Sequence, residues 1–461
     1  MSARTKQRAE NRRRSMRGTA AVTPARRVAF EILRRVEEEG AFASVLLAAG
    51  VEELSAQDRA LSYELVLGVL RWQLWLDQLI EHYARRSPES LDAPVRRALR
   101  LGLYQLRHLS RIPASAAVNE AVNLMRLAKM MSAASFVNAV LRRATREPDY
   151  DPAAHITDPH ARLAVETSHP VWLIERWARA FGFEETASFA RSNNESPPVA
   201  FRIIAKDDEG SAILDQLRAA GGVLEPSRIA PDAWRIQGAT ASLRQLVRDG
   251  CLYLQDEASQ LVAHVLEAHS GERVLDVCAA PGSKTTHIAA RAPGLKLIVA
   301  GDLYEHRLRT VQEASARTFG THLISAVVLD ATSALPLADG SFDRVLVDAP
   351  CTGTGTLRRN PEIRWRITTQ DIADLSERQQ RILLNASRMV RTGGRLVYST
   401  CSVEREENEE VVASFLHQNG AYKPITPPVI APFRTASGAA RTWPHREGAD
   451  GFFISAFERR D

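Results

Sequence analysis

From Arg26 to about Arg146 the apolar residues recur at helical spacing. Ala29, Ile32, Leu33 and Val36 fall at i, i+3, i+4 and i+7, and Leu65, Val69, Trp72, Leu76, Leu79 and Tyr83 repeat the stripe. The segment Val95–Leu109 puts Leu99, Leu103 and Leu106 on one face, with Arg96, Arg97, Arg100 and Arg107 around it. Pro113 interrupts, and Ala116–Met131 and Ser135–Arg146 resume the spacing. An all-α bundle is expected, its arginines reading equally as a solvated face or as a face for RNA. Residues 147–170, richer in Pro, Asp and His, read as a linker, followed by helices around Trp172–Phe181 and Glu184–Asn193.

After Ser196-Pro197-Pro198 the rhythm shortens. Strands are expected at Val199–Ile204, Ala233–Ile236 and Cys251–Gln255, with helices at Ser211–Ala220 and Ser242–Asp249, a small α+β unit of ferredoxin or RRM type. From Ser259 strands alternate with helices. Strands read at Arg273–Cys278, Leu297–Asp302, Leu323–Asp330, Phe342–Asp348, Gly394–Ser399 and Phe452–Phe457, with clear helices at Ser376–Val390 and Glu404–His417. Short continuous apolar strands of this kind suit a mostly parallel sheet covered on both faces. The chain is therefore read as multidomain: a basic arm over 1–25, a helical domain over 26–150, linker helices with the α+β unit over 151–255, and an α/β Rossmann-like domain over 256–461.

Charge changes this picture at one end only. The net charge is +5, but residues 1–27 hold nine Lys/Arg against Glu10, leaving 51 basic and 54 acidic residues in the remainder. Such an arm is expected to be disordered alone and suited to a polyanion such as RNA, or to act only as a solubilising tail. No apolar run approaches the ~18 residues of a membrane span, and the N-terminus has no apolar segment following its charges, so no membrane association or secretion is expected. The four cysteines, 251, 278, 351 and 401, are widely spaced without a Cys-x-x-Cys. Neither metal nor disulfide framework is expected, and a reducing cytoplasm is the default location.

The candidate chemistry lies at the carboxyl ends of the later strands, where ligands bind in sheets of this type. Asp276–Thr285 reads as strand, tight turn and helix start, without the dinucleotide fingerprint and without a Walker A loop. A nucleoside cofactor lacking an extended phosphate chain fits better. Asp302 ends the next strand, where an acid bonds ribose hydroxyls, and Asp330 ends the third, placed for an adenine amino group. Cys351, in Asp348-Ala349-Pro350-Cys351-Thr352-Gly353, and Cys401, in Ser399-Thr400-Cys401-Ser402, each follow a strand. Two thiols beside a cofactor turn suit methylation of a pyrimidine at C5, whose carbon becomes nucleophilic only once a thiolate adds at C6. Asp348 is placed to stabilise charge near N3. A helix opening near Glu404 would favour the Cys401 thiolate, but the residues alone do not rank the two cysteines. Cys251 reads as a small hydrophobe, as a buried free cysteine usually is.

These motifs resemble bacterial ribosomal RNA cytosine-C5 methyltransferases of the RsmB (Sun, Fmu) type, within the wider Sun family. The resemblance runs through Gln255–Gln260, Cys278–Thr285, Asp302, Asp330, Asp348–Gly353, Asn360–Trp365, Ser399–Ser402 and Asp450–Phe453. Ala98–Leu109, Ile112-Pro113, Val118–Val122 and Phe136–Arg142 resemble the NusB RNA-binding fold. The resemblance implies that S-adenosylmethionine is bound by Cys278, Ala279, Ala280, Pro281, Gly282, Ser283, Lys284, Asp302, Asp330 and Asp348. It implies that Cys401 is the nucleophile and that Cys351 serves product release. It further implies a monomer acting on one cytosine of 16S ribosomal RNA, in naked or early-assembly form. Ser283 departs from the family's usual second glycine, and Arg202-Ile203-Ile204 from its usual Arg-Val-Asn. The competing readings are the same chemistry on transfer RNA or 23S ribosomal RNA, or a non-catalytic NusB-like binding or antitermination factor.

Overall fold

The computed structural model describes residues 22–204, 207–319 and 323–460; most of the basic arm, residues 1–21, lies outside them. Contacts group the chain into two units, one running to Ala190 with Arg359–Glu362, the other comprising Arg191–Arg358 and Ile363–Asp461. The first unit is helical. Helices Pro24–Glu38, Ala56–Arg71, Gln73–Ala84, Ala93–His108, Ala114–Leu127 and Ala134–Arg146 bury the apolar stripes in one core that includes Leu33, Leu65, Leu76, Leu99, Leu103 and Leu141. Gly68 and Gly102 let neighbouring side chains close in: a Cβ at Gly68 would lie 2.0 Å from the Tyr104 ring.

The arginines of helix Ala93–His108 take neither expected part. Arg97 is 2% exposed and donates to Glu37 at 2.8 Å and Glu38 at 2.9 Å; Arg96 also pairs with Glu37. Arg100 makes two 2.7 Å bonds to Asp77, and Arg107 meets the Tyr83 hydroxyl. They staple helices together, because a guanidinium that bridges two carboxylates can be buried where a lone one cannot. The stretch expected as linker carries a further helix, Pro159–Thr167, capped by Asp158 accepting from the Ala161 N–H at 2.7 Å.

The second unit opens with a four-stranded antiparallel sheet: β1 (Val199–Ile203), β2 (Val223–Pro226), β3 (Ala233–Gln237) and β4 (Leu252–Leu254), in the order β2-β3-β1-β4. Helices Asp207–Ala219 and Thr240–Arg248 complete a βαββαβ ferredoxin-like piece. Arg202, on β1, is buried and donates to Gln255 and Thr286 with its guanidinium over the Tyr253 ring.

The larger sheet comprises β5 (Arg273–Asp276), β6 (Leu297–Asp302), β7 (Ser325–Val328), β8 (Phe342–Asp348), β9 (Val390–Thr400), β10 (Tyr422–Ile425), β11 (Ala440–Thr442) and β12 (Phe452–Arg459). Its order is β10-β12-β9-β8-β5-β6-β7, with β11 paired to β12. Strands β5 to β9 are mutually parallel; β12 pairs antiparallel with β9, and β10 and β11 each pair antiparallel with β12. Apolar clusters lie on both faces, Leu346 and Val397 in one, Val345, Val347 and Leu396 in the other, which is why β8 and β9 are apolar at successive positions. The chain order reverses between β5 and β8, so a crevice opens there at the carboxyl edge. Between β8 and β9 the register shifts after Phe342↔Val390: the next pair is Arg344↔Arg395, then continuous pairing to Asp348↔Ser399. No helix among the described residues is long and apolar enough to cross a membrane.

Candidate active site

The pairing of β8 with β9 brings the two thiols together. Asp348 and Ser399 are register partners, and the chains past them carry Cys351 and Cys401 with their sulfurs 3.4 Å apart. Both Asp348 oxygens are engaged: Oδ1 accepts from the Ser399 hydroxyl at 2.7 Å, Oδ2 from Lys284 Nζ at 2.7 Å. Lys284 comes from helix Ser283–Arg291, which starts at Gly282 with φ +102°, a conformation open to glycine. A Cβ there would also press within 3.1 Å of the Val311 backbone. Burial pulls the Lys284 ammonium down, but Asp348, by charge and hydrogen bond, and then Cys401 more than offset it, so it is held above its ordinary range.

A cavity of about 280 Å³ opens at this edge, lined by Cys278, Asp302, Asp330, Asp348, Cys351 and Cys401 among others. Asp302 is buried and accepts from the Tyr304 N–H at 3.1 Å and from Arg307 at 3.4 Å. Asp330 accepts from the Thr332 hydroxyl at 2.7 Å and N–H at 2.9 Å, which hold its carboxyl below the usual range. Of the turn, Cys278 and Ala280 line the cavity, while Ala279, Pro281, Gly282 and Ser283 shape it, closed by the Gly282 N–H on the Ala279 carbonyl at 2.7 Å. Beneath it Asp276 is fully enclosed, accepting from Thr285 at 2.7 Å; burial pushes its carboxyl up to about 7. Burial, with Asp276, Asp348 and Asp302 around it, also pushes the Cys278 thiol up.

The two central thiols are not equivalent. The bond with Cys401, then burial, then the charges of Cys401, Glu407 and Asp348, hold Cys351 far above the ordinary thiol range. Cys401 instead is felt by Lys284. The expected helix at Glu404 starts only at Glu409, eight residues past Cys401, because Val403–Asn408 is spent on turns around Ser402 and Glu407. No helix therefore begins directly after Cys401. The loops meet through backbone: the Gly355 N–H donates to the Cys401 carbonyl at 2.9 Å and the Gly451 N–H to Gly355 O at 2.8 Å. A Cβ at Gly355 would lie 2.0 Å from Gly451 O, so this close approach of the two loops requires glycine at 355.

Three family models match in succession: NusB over 23–146, the RsmF/B ferredoxin-like domain over 169–242, and the 16S rRNA methyltransferase RsmB/F over 263–458. The chain is 37% identical to the probable ribosomal RNA small subunit methyltransferase B of Bacillus subtilis, over 95% of this chain and 99% of that one. The chain belongs to the RsmB/F methyltransferase family. It is also 35% identical to ribosomal RNA small subunit methyltransferase B of Pseudomonas putida, over 89% of this chain and 92% of that one. Among solved structures, the crystal structure of PH0851 matches with TM-score 0.79 and 28% identity over 95% of this chain and 100% of that one.

Within this RsmB/F site, sequence reasoning missed Tyr304, Arg307, Leu329, Arg378 and Ile382 as cavity lining. Tyr304 and Arg307 follow Asp302 closely, and the turn after that strand was the available signal. Arg378 and Ile382 come from the long helix Thr369–Ser387, whose four-residue spacing marks one face without saying what it faces.

Proposed function

We propose that this RsmB/F-family protein methylates C5 of a cytosine in small-subunit ribosomal RNA, using S-adenosylmethionine, with Cys401 as nucleophile. The observation that carries the reading is the 3.4 Å approach of the two sulfurs beside the Asp348–Lys284 pair. A single-cysteine nucleophile needs no second thiol there. The RNA assignment follows the names of the Bacillus and Pseudomonas relatives.

The cavity suits the cofactor. Asp302 offers carboxylate oxygen to ribose hydroxyls, Leu329 and Ile382 an apolar wall to a purine, and Asp330 an acceptor at the far rim. Cys278, Ala280 and Asp348, the last held by Lys284, line the same cavity as the two thiols. When bound, S-adenosylmethionine supplies an electrophilic methyl group.

The residues of the chain do the rest. Lys284 favours the Cys401 thiolate, which bonds to C6 while the C5–C6 π pair moves to C5, making that carbon nucleophilic. Asp348 faces N3, and its ion-pair partner Lys284 offsets the negative charge that conjugation carries there from C5. After C5 has accepted the methyl group, its proton is lost to a base, the C5–H pair re-forms the double bond, and the Cys401–C6 bond breaks to return the thiolate. The C5 proton passes to solvent water, and Cys351, held protonated beside Cys401, donates its S–H as a hydrogen bond to the sulfur that departs as thiolate. The base must be unpaired and unstacked to reach the edge of a sheet, which favours naked or early-assembly RNA, bound by a monomer.

Bisulfite sequencing of small-subunit RNA with and without the protein tests the substrate. C401A is expected to abolish methyl transfer, and C351A to accumulate a covalent protein–RNA species on a denaturing gel. Trapping by C401A instead would exchange the two roles, and full turnover by C401A would remove the covalent route altogether.

A further inference from the structure

Cys351 and Cys401 stand fifty residues apart on separate loops. Strand pairing stops at Asp348↔Ser399, so the register alone does not hold the sulfurs in contact. Thr354 joins the loops through the Ser402 hydroxyl at 3.2 Å and the Val403 N–H at 3.1 Å, and a buried carboxylate bonds the residue next to each cysteine. Glu407 is 0% exposed, and its Oε1 accepts from the Thr352 N–H at 2.9 Å and Gln379 Nε2 at 2.9 Å. Its Oε2 accepts from the Thr352 hydroxyl at 2.5 Å and from the Ser402 hydroxyl. Thr352 directly follows Cys351, and Ser402 directly follows Cys401.

The far flanks are held as well. Gln379 also donates to the Pro350 carbonyl at 2.9 Å, just before Cys351. Asn408 accepts from the Thr400 hydroxyl at 2.5 Å and donates to the Ser402 carbonyl at 2.8 Å, on both sides of Cys401. Thr352 and Ser402 also touch each other, hydroxyl to hydroxyl at 3.1 Å.

Glu407 does not line the cavity and meets neither sulfur by hydrogen bond. Among the described residues its four hydrogen-bond donors are all uncharged, so it is a buried carboxylate held there without an ion pair. Burial pushes the carboxyl up, opposed by the Ser402 and Thr352 hydroxyls. A buried charge without a cation is unfavourable and persists only when every lone pair is met. Stability alone would be served as well by an apolar side chain. What the carboxylate does that an apolar group cannot is accept from two separate loops at once.

We infer that Glu407 is the positioning residue that sets the spacing of Cys351 and Cys401, acting through Thr352 and Ser402. The inference rests on the two-thiol reading above. E407Q keeps the shape but turns one acceptor into a donor that faces donors; E407A removes the link.

The test compares wild type, E407Q, E407A and S402A as full-length proteins. It measures methyl transfer to an unmodified small-subunit RNA transcript, S-adenosylmethionine affinity, and N-ethylmaleimide alkylation of each cysteine without RNA. E407A is expected to lose about a hundredfold in kcat and E407Q about tenfold, since an ångström of misplacement costs on that scale. The S-adenosylmethionine Kd should stay within about twofold, because no cavity-lining group is removed. Alkylation of Cys351 should quicken in E407Q relative to Cys251, as the clamp and its charge are lost.

Wild-type kcat in both Glu407 variants would overturn the inference. So would parallel loss of cofactor affinity and kcat, which would make Glu407 a general structural residue. If E407A does not fold, E407Q and S402A carry the same comparison, and unchanged kcat and alkylation in both would be decisive against it. A C401A control separates the two ideas: turnover by C401A sinks the covalent reading, while the alkylation pattern still decides whether Glu407 governs the thiols.

Discussion

At the level of single residues, the site is assembled from small groups placed where nothing larger fits. Gly355 is the sharpest case, since its Cα sits against the Gly451 carbonyl. G355A is expected to cost about 1–3 kcal/mol of stability, the usual range for forced overpacking. Methyl transfer should fall further than the melting temperature alone explains, because Gly355 also binds the Cys401 carbonyl. Chemical denaturation alongside single-turnover kinetics checks both; an unaffected rate would mean the loop contact is incidental. Both thiols, Asp348 and the cofactor turn were readable as types of residue at strand ends. Their non-equivalence was not. Lys284 reaches Asp348 across 64 positions and Glu407 reaches Thr352 across 55, and no local pattern records such distances.

Among elements, the helices Glu257–Leu266 and Ser283–Arg291 pack behind the cofactor turn, with His264 and His287 edge to face at 5.5 Å. Burial, then Arg291, pulls His264 down to about 4, with Asp232 and the Pro231 backbone opposing. A base whose folded value is depressed is protonated first in the unfolded chain. Stability is therefore lost as pH falls from about 6.5 towards 4, by the order of 3 kcal/mol for a shift of this size. Asp276 acts in the opposite sense: its raised carboxyl favours folding below about 4 and loses that advantage as pH rises to about 7. The two overlap and partly cancel. His287, which burial also pulls well below its ordinary range, acts in the same sense as His264, so H264F should lessen the loss of stability towards low pH without abolishing it; denaturation midpoints across pH 4–8 read it. Strands β6 and β8 were legible to the residue, each a continuous apolar run closed by an aspartate. β2 escaped because its four residues are mostly exposed and show no alternation, and β10 and β11 because they are short pieces added to an antiparallel margin. The Glu404 helix start failed because residues 405–408 form turns and the helix begins only at Glu409.

For the molecule as a whole, the apolar cluster of the helical unit draws its members from Ala29 to Ala144 and closes on itself. A fragment spanning residues 22–150 should therefore be helical by circular dichroism and melt cooperatively. A non-cooperative melt would show that this core needs the rest of the chain. S-adenosylmethionine at a hundred times its Kd should stabilise the α/β unit by about 2.7 kcal/mol. The same ligand should leave the fragment's melting temperature unchanged, since the cavity's lining lies wholly between Val277 and Cys401.

The offset between Val390 and Arg395 has a consequence far from where it occurs. Arg391–Gly394 is a bulge within β9, with Gly393 at φ +71° and Gly394 so placed that a Cβ would lie 2.9 Å from Asp343 O. From Arg395 onward, counting is strict: four rungs later the ladder delivers Ser399 opposite Asp348. Deleting one glycine leaves the chain two choices. It can shorten the bulge and keep its rungs, or slide by one and present Ser402 where sulfur belongs, with alternate side chains thrown to the wrong face. A lesion some distance down the strand would then silence a perfectly intact cysteine, and Gly393 and Gly394 are the place to look for one.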